Sequence, residues 1–292
     1  MMFSFIDAVP LSVRYMLFSA FGFALMAVCV KAVSGMGIPV LEIVAARALV
    51  SLAISYLDVK RKRLSVWGTH RMLLLARGVS GTLALICVYY SVTTLPLAEA
   101  TILQYLNPLF TALLALLFLS EKIQRSTLIC IVLSLLGLVV MVKPDLFTTL
   151  QLPDLPLWSV VAALAGAFGS AVAYVFVRQL SQKEDSSVII FYFPLIALPL
   201  SVVLLGDDFV MPDAYGVLLL VLVGVFTQIG QVGLTKAMQY EKAGKAMAYA
   251  YVQVIFSVML GWVFFSEIPG IWTLVGGSLI MAGALINVLW KR

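Results

Sequence analysis

Two arginines lie inside strongly apolar stretches of this sequence, Arg47 and Arg77. A charged side chain at the centre of a membrane span costs at least about 2.5–3.5 kcal/mol, so each is a candidate functional residue. A guanidinium binds carboxylate or phosphate groups in a bidentate manner, which predicts contact with an anionic solute. Two alternatives remain open: Arg77, near the start of its stretch, could extend to the membrane surface, and Arg47 could pair with Glu42, although five residues is a poor same-face spacing.

A third apolar stretch, residues 97–119, carries polar side chains at helical spacing. They are Gln104, Asn107 and Thr111, with Pro108 beside Asn107. The proline removes a backbone hydrogen bond, so the helix can bend there and a ligand or water can bind. The alternative role, hydrogen bonding between helices, is worth only about 0.6 kcal/mol per contact. We therefore predict that the stripe lines a solute pathway. Further pathway candidates are the hydrogen-bonding side chains of Tyr90, Tyr174, Gln228, Gln231, Tyr249, Gln253 and Ser257.

Acidic groups near the stretches are candidates for proton coupling, namely Glu42 and Glu99. Glu99 equally suits the role of complementing a helix dipole. The single histidine, His70, lies in a basic loop, and the three cysteines have no metal-ligand spacing. The sequence therefore predicts no metal site, no cofactor and no enzyme, because an intramembrane lipid enzyme would need an acid–base or metal cluster near one membrane face.

The elements that carry these residues are predicted to be membrane-spanning helices. The chain has 292 residues, of which 63% are apolar and 11% charged, whereas soluble domains are about 25% charged. Ten apolar runs are each long enough to cross a bilayer, which predicts an all-α integral membrane protein. The predicted spans are 13–33, 38–58, 72–93, 97–119, 126–143, 157–179, 187–206, 214–236, 243–265 and 269–290.

The basic residues indicate how these spans are oriented. Of the 19 Lys and Arg residues, 15 fall on the side of the two termini and the even-numbered loops, and only Lys31 and Lys143 fall in odd-numbered loops. The positive-inside rule then places both termini in the cytoplasm and the protein in the cytoplasmic (inner) membrane as a multi-pass protein. The charges lie in short loops rather than in one patch, so we expect no nucleic-acid partner.

An internal repeat relates the two halves of the chain. Residues 95–140 align without a gap on residues 241–286, so that Tyr105 meets Tyr251 at a shift of 146. The match is weaker for spans 1 and 6, at a shift of 147, and rests on position alone for spans 2 and 7. Five spans per half is an odd number, so the halves must be inverted about a pseudo-two-fold axis in the membrane plane. We predict a first repeat at 1–146, an extracytoplasmic connector at 147–156 and a second repeat at 157–292.

Several motifs together resemble the EamA-type half of the drug/metabolite transporter superfamily. They are Arg77-Gly78, Tyr89-Tyr90, LPLAEAT at 95–101, Glu121 after a proline-containing span, and LLGLVVMV at 135–142. The resemblance implies a ten-helix carrier whose cavity is lined by spans 1–4 and 6–9, with spans 5 and 10 at the periphery. It also implies that an arginine at the place of Arg47 is shared by carriers of different substrates, which favours a structural or gating role.

The sequence thus predicts a secondary transporter that moves a small polar metabolite, amino-acid-like or drug-like, across the cytoplasmic membrane by alternating access, in the export direction. The alternative is a carrier of organic anions or S-adenosylmethionine that uses Arg47 and Arg77. An intramembrane lipid enzyme is disfavoured. The expected partners are a small-molecule solute and membrane lipid, and the oligomeric state is left open.

Overall fold

The protein folds into ten helical spans, α1 to α10, in a computed structural model that describes residues 10–95, 97–142, 156–266 and 268–290. Nine spans in the described residues are long and apolar enough to cross a membrane, and α5 is a shorter apolar helix. This confirms the predicted all-α membrane protein. The unbroken helices are α1 (Leu11–Ser34), α2 (Val40–Arg61), α3 (Arg71–Thr94), α5 (Arg125–Val142), α6 (Leu157–Leu180), α7 (Ser186–Leu205), α8 (Ala214–Tyr240) and α10 (Ile271–Leu289).

Two spans that the sequence presents as continuous are interrupted. α4 consists of α4a (Leu97–Gln104) and α4b (Asn107–Phe118), separated by a turn. α9 consists of α9a (Ala243–Ala248), a 3₁₀ turn at Tyr249–Tyr251, and α9b (Val252–Phe265). The predicted connector at 147–156 lies outside the described residues except for its last residue, Pro156.

Local sequence signals explain several helix ends. The Asp185 and Asp213 side chains accept hydrogen bonds from Ser187 N and Gly216 N, and so cap α7 and α8. Both interrupted spans are followed by a serine in the left-handed region, Ser120 with φ 54° and Ser266 with φ 56°. These serines correspond in the repeat, so the two halves end their fourth helices in the same way.

The packing of the helices follows a pseudo-two-fold axis. α1 packs on α8, and its counterpart α6 packs on α3; α2 packs on α8, and α7 on α3; α9b packs on α1, and α4b on α6. Three further pairs join a helix to its own counterpart: α2 with α7, α4 with α9, and α5 with α10. With five helices per half, this arrangement makes the repeats inverted, as the sequence predicts.

Individual residues obey the same symmetry. Phe110 meets Phe168 edge to face at 5.9 Å, and the equivalent pair Phe256 and Phe21 does so at 5.4 Å. A Cβ atom at Gly22 would lie 3.0 Å from Gly230 N, and one at the equivalent Gly169 would lie 3.0 Å from the Ala84 Cβ. Both glycines therefore allow α1 and α6 to approach their partners closely.

Glycines also fix the register of α2 against α7, which the sequence relates only by position. A Cβ at Gly78 would meet Ile196, and one at the equivalent Gly224 would meet Val50. Ile196 and Val50 are themselves 146 residues apart. The shift of 146 therefore applies to α2 and α7, and it makes Phe193 the counterpart of Arg47.

The membrane faces differ in charge. We call the face at which α1 begins, α10 ends and the loops 62–70, 119–124, 181–185 and 241–242 lie the basic face, and the other the opposite face. α5 and α10 pack on each other at the edge of the bundle, where Gly137 and Gly276 allow close contact. The other eight spans surround the centre.

Candidate functional site

A cavity of about 360 Å³ lies between the two halves near the middle of the bundle, within the usual size range of small-molecule sites. Its walls come from α1–α4 and α6–α9, and no described residue of α5 or α10 lines it. Seven of the predicted pathway residues line this cavity: Arg47, Arg77, Gln104, Asn107, Tyr174, Gln231 and Gln253.

Arg77 is the most constrained group in the wall. Its residue is only 4% exposed, so in this structure it does not extend to the membrane surface. Its Nη2 donates to Gln231 Oε1 at 3.3 Å, a long hydrogen bond. Its Nε and Nη1 are buried and have no hydrogen-bond partner. Buried donors without partners cost free energy, so this arginine holds two donor nitrogens whose hydrogen-bonding capacity is unused.

Arg47 enters the same cavity from α2, near the same aromatic ring as Arg77. Its guanidinium lies 5.6 Å from the centre of the Phe193 ring, and that of Arg77 lies 4.8 Å from the same centre. The alternative pairing of Arg47 with Glu42 does not occur: the buried Glu42 carboxylate accepts a hydrogen bond from Val210 N at 3.0 Å, near the opposite face. The carboxylate lies outside the cavity lining.

The cavity wall is therefore positively charged. Among the described residues, its lining contains two arginines and no aspartate or glutamate. Among the described residues, neither arginine forms an ion pair. Charges in a partly desolvated site are weakly screened, so the site favours an anion.

Two amides and a tyrosine add neutral polar groups. Gln104 Oε1 is buried without a hydrogen-bond partner and can accept a hydrogen bond from a ligand. Asn107 begins α4b, and Gln253 lies at the corresponding place in α9b. Tyr174 on α6 lines the wall with the two arginines. Apolar contacts come from α1 and α3, including Phe23, Met26 and Leu85.

The remaining predicted pathway residues lie outside the lining. Gln228 is buried and donates to Ser55 Oγ at 2.9 Å, and Thr111 donates to Asn107 O at 2.7 Å. Thr111 lies one turn beyond Asn107 in α4b, and the backbone of its own helix occupies its hydroxyl. The others are Pro108, which is buried at the start of α4b, Tyr90, which is 50% exposed, Tyr249, which is buried, and Ser257. The Glu99 side chain lies outside the described residues.

Phe193 contributes to the site although it was not a candidate from sequence. An aromatic residue in an apolar run gives no signal by itself, and the sequence relates α2 and α7 only by position. The register seen in the structure makes Phe193 the counterpart of Arg47. Gly81 follows Arg77 by four residues in α3, so both positions lie on the same face of that helix and border the cavity together.

Polar contacts between the halves close the basic face. The Glu184 carboxylate, from the second half, accepts hydrogen bonds from Thr69 N at 2.7 Å and His70 N at 2.6 Å in the first half. The Thr69 hydroxyl donates to the same oxygen at 2.5 Å. Desolvation raises the pKa of Glu184, but these hydrogen bonds outweigh it and hold the pKa below its ordinary value. The carboxylate therefore remains charged and links the halves at neutral pH.

A second link at the basic face uses Glu121. Its Oε1 accepts a hydrogen bond from Arg178 Nε at 2.7 Å, and its Oε2 accepts one from Ala243 N at 2.8 Å. Beside it α9a crosses α4b closely, since a Cβ at Gly244 would lie 2.9 Å from the Ala112 Cβ. The symmetry-related pair, α4a and α9b, shares at most a marginal contact among the described residues. The cavity is thus sealed more tightly towards the basic face.

Comparisons with known proteins agree with this architecture. The model of the EamA-like transporter family matches residues 11–143 and 157–289. The pseudopaline exporter CntI of Pseudomonas aeruginosa is 32% identical over 283 residues, covering 96% of each chain. The human solute carrier family 35 member G1 is 28% identical, over 97% of this chain and 80% of its own. A solved crystal structure with 18% identity shares the fold, with a TM-score of 0.83 over 95% of this chain and 96% of that chain.

Proposed function

The chain belongs to the EamA-like transporter family, and we propose that it exports a small anionic metabolite by alternating access. One observation carries the choice of an anion. Arg77 is buried in the cavity wall with two unpartnered donors, and no carboxylate of the described part of the chain lines that cavity. The anion alternative of the sequence is therefore preferred to a neutral polar solute, because a neutral solute would leave both cationic groups without a counter-charge.

Orientation and kinship support the proposed direction of transport. The basic face is assigned to the cytoplasm by the positive-inside rule. The cavity then faces the extracytoplasmic side in this structure, since the polar links and the α4b–α9a crossing lie at the basic face. A relative that covers 96% of the chain is named as an exporter, which supports export for this chain.

Alternation needs the basic face to open and the opposite face to close. The interruptions in α4 and α9 provide bending points beside the cavity, because the regular helical hydrogen-bond pattern changes there: Leu106 N donates to Leu103 O in α4, and α9 contains a 3₁₀ turn. Opening would separate Glu184 from Thr69 and His70, and Glu121 from Arg178. Of the candidates for proton coupling, Glu42 is engaged near the opposite face, and a role for Glu99 stays a prediction.

The experiment compares metabolites in a bacterial host that produces the protein or its Arg77→Gln variant. We expect an anionic metabolite to accumulate in the medium with the unmodified protein and to remain in the cells with the variant. Arg63→Gln, a substitution of an exposed basic-face arginine, should behave like the unmodified protein. Counterflow of the identified metabolite in proteoliposomes then tests transport directly. Export of neutral solutes alone, or export unaffected by Arg77→Gln, would contradict the proposal.

A further inference from the structure

The ring of Phe193 is close to two cationic groups that belong to different helices. The Arg47 guanidinium is 5.6 Å and the Arg77 guanidinium 4.8 Å from the ring centre. Cation–π attraction to the ring holds each guanidinium in place. The ring carries no net charge, however, and so cancels neither positive charge. Both groups are therefore within reach of one small molecule in the cavity.

Gly81 makes room for this arrangement. A Cβ atom at Gly81 would lie 3.1 Å from Phe193 Cδ2 and 3.5 Å from Arg77 Nη1. The first distance is tighter than an ordinary van der Waals contact, so a side chain at this position would displace the ring. The site is thus built to hold a ring and a guanidinium side by side against α3.

The two positive charges in the cavity wall, those of Arg47 and Arg77, require two negative charges to balance them. Like charges that share a partly desolvated site repel each other. No carboxylate offsets them in the lining that the structure describes, and two donors of Arg77 have no partner. We infer that the transported solute carries two anionic groups, one bound by Arg47 and one by Arg77. This inference rests on the proposed function and adds a specific substrate class, the dianions.

The rest of the wall describes the body of such a solute. Gln104 Oε1 is a buried acceptor without a partner, which suits an N–H or O–H group between the two anionic ends. Phe23, Met26 and Leu85 supply apolar contact. A volume of about 360 Å³ admits a compact dicarboxylate.

The test uses the purified full chain and three series of probes of equal size. The first series is the dicarboxylates from succinate to pimelate, the second their monoamides and the third their diamides. Apparent affinities are measured by the shift in thermal unfolding as each probe is titrated. Because a hydrogen bond to a charged group is worth about 1.5–3 kcal/mol, we expect the best dicarboxylate to bind about 10- to 100-fold more tightly than its monoamide.

The variants then assign the two charges. Arg47→Gln should remove the preference for the dicarboxylate while the monoamide still binds through Arg77. Phe193→Leu should reduce the preference, and Phe193→Tyr should restore most of it by restoring the aromatic face. Phe168→Leu, which alters an aromatic pair outside the cavity lining, should leave the preference unchanged.

The outcomes separate this inference from the proposed function. Equal affinity for the dicarboxylate and its monoamide, in the unmodified protein, would overturn the two-anion inference and leave an anion exporter. Binding of the diamides alone, or of none of the probes, would count against both. The comparison in the unmodified protein decides the matter even if a variant does not fold.

Discussion

The fourth helix of each half is interrupted at corresponding positions, but the two sequences differ there. In the first half, α4 breaks after Gln104, and Pro108 follows at the start of α4b. In the second half, α9 breaks at Tyr249–Tyr251, and the residue opposite Pro108 is Val254. A proline is therefore not required for the interruption. The interruption must instead be maintained by contacts that both breaks share.

Those shared contacts are aromatic. The rings of Tyr105 and Tyr251, equivalent residues of the repeat, stack at 5.8 Å with an interplanar angle of 27°. The Tyr251 hydroxyl donates to Tyr105 O at 2.7 Å, and this carbonyl is one that the turn in α4 removes from regular helical pairing. Each interruption thus supports the other across the pseudo-two-fold axis.

The largest expected effect comes from a substitution at the crossing of α9a and α4b. Gly244→Val would place side-chain atoms where a Cβ already lies 2.9 Å from Ala112. We expect a loss of about 1–3 kcal/mol in stability, as for other overpacked cores, and a lower temperature of thermal unfolding. Gly277→Ala is the control, because nothing lies within 4 Å of a Cβ at Gly277. Equal effects of the two substitutions would mean that this crossing does not seal the basic face.

The second-largest effect is expected at Glu184, which links the two halves at the basic face. Glu184→Gln should destabilise the closed basic face by about 0.5–2 kcal/mol, the range for losing a helix cap. Because the pKa of Glu184 is lowered by its hydrogen bonds from an ordinary 4.5, its contribution is present above that pH and disappears as pH falls through the lowered pKa. The difference in unfolding temperature between the unmodified protein and the Glu184→Gln variant should therefore be largest near neutral pH and should decrease below about pH 4. A gap that is the same at all pH values would show that charge is not the cause.

A smaller effect distinguishes the two tyrosines. Tyr251→Phe removes the hydrogen bond to Tyr105 O and leaves a buried carbonyl unpaired, which should cost about 1 kcal/mol. Tyr105→Phe keeps that carbonyl bonded and keeps the stacked ring, so it should cost less. Thermal unfolding of both variants in the same lipid is the measurement. If Tyr105→Phe is the more destabilising of the two variants, the hydrogen bond does not maintain the interruptions of α4 and α9.

The smallest effect is expected at the proline itself. Pro108→Ala should leave the interruption of α4 in place, as Val254 does in α9, and should change stability by less than about 1 kcal/mol. The readout is the reactivity of a Gln104→Cys variant with a water-soluble thiol reagent, in a background without native cysteines, with and without the proline. Loss of reactivity in the Pro108→Ala protein would show that α4 straightens and that the proline maintains the break.

Much of the fold follows from the sequence because lipid imposes simple rules. The ten spans follow from run length, and the inverted repeat follows from the odd number of spans in each matching half. The interruption of α9 could not be predicted, since no residue in 249–254 is a helix breaker. It arises from contacts with α4, which lies 146 residues away in the chain.

The candidate site divides in the same way. The sequence by itself determined that Arg47 and Arg77 lie within spans and need a partner, because an unpaired charge in an apolar run is costly wherever the helices pack. Only the tertiary structure decided that Gln104 faces the cavity while Gln228 binds Ser55. Periodicity shows which side chains share a face of one helix, but not which neighbour covers that face.

The position of Phe193 shows the physical reason most directly. Its apolar ring is ordinary in sequence, and its role depends on two guanidinium groups brought to it by α2 and α3. The sequence therefore determined which groups carry charge inside the membrane. The packing of the two halves decided that both charges meet at one ring, because that contact joins residues more than 100 positions apart.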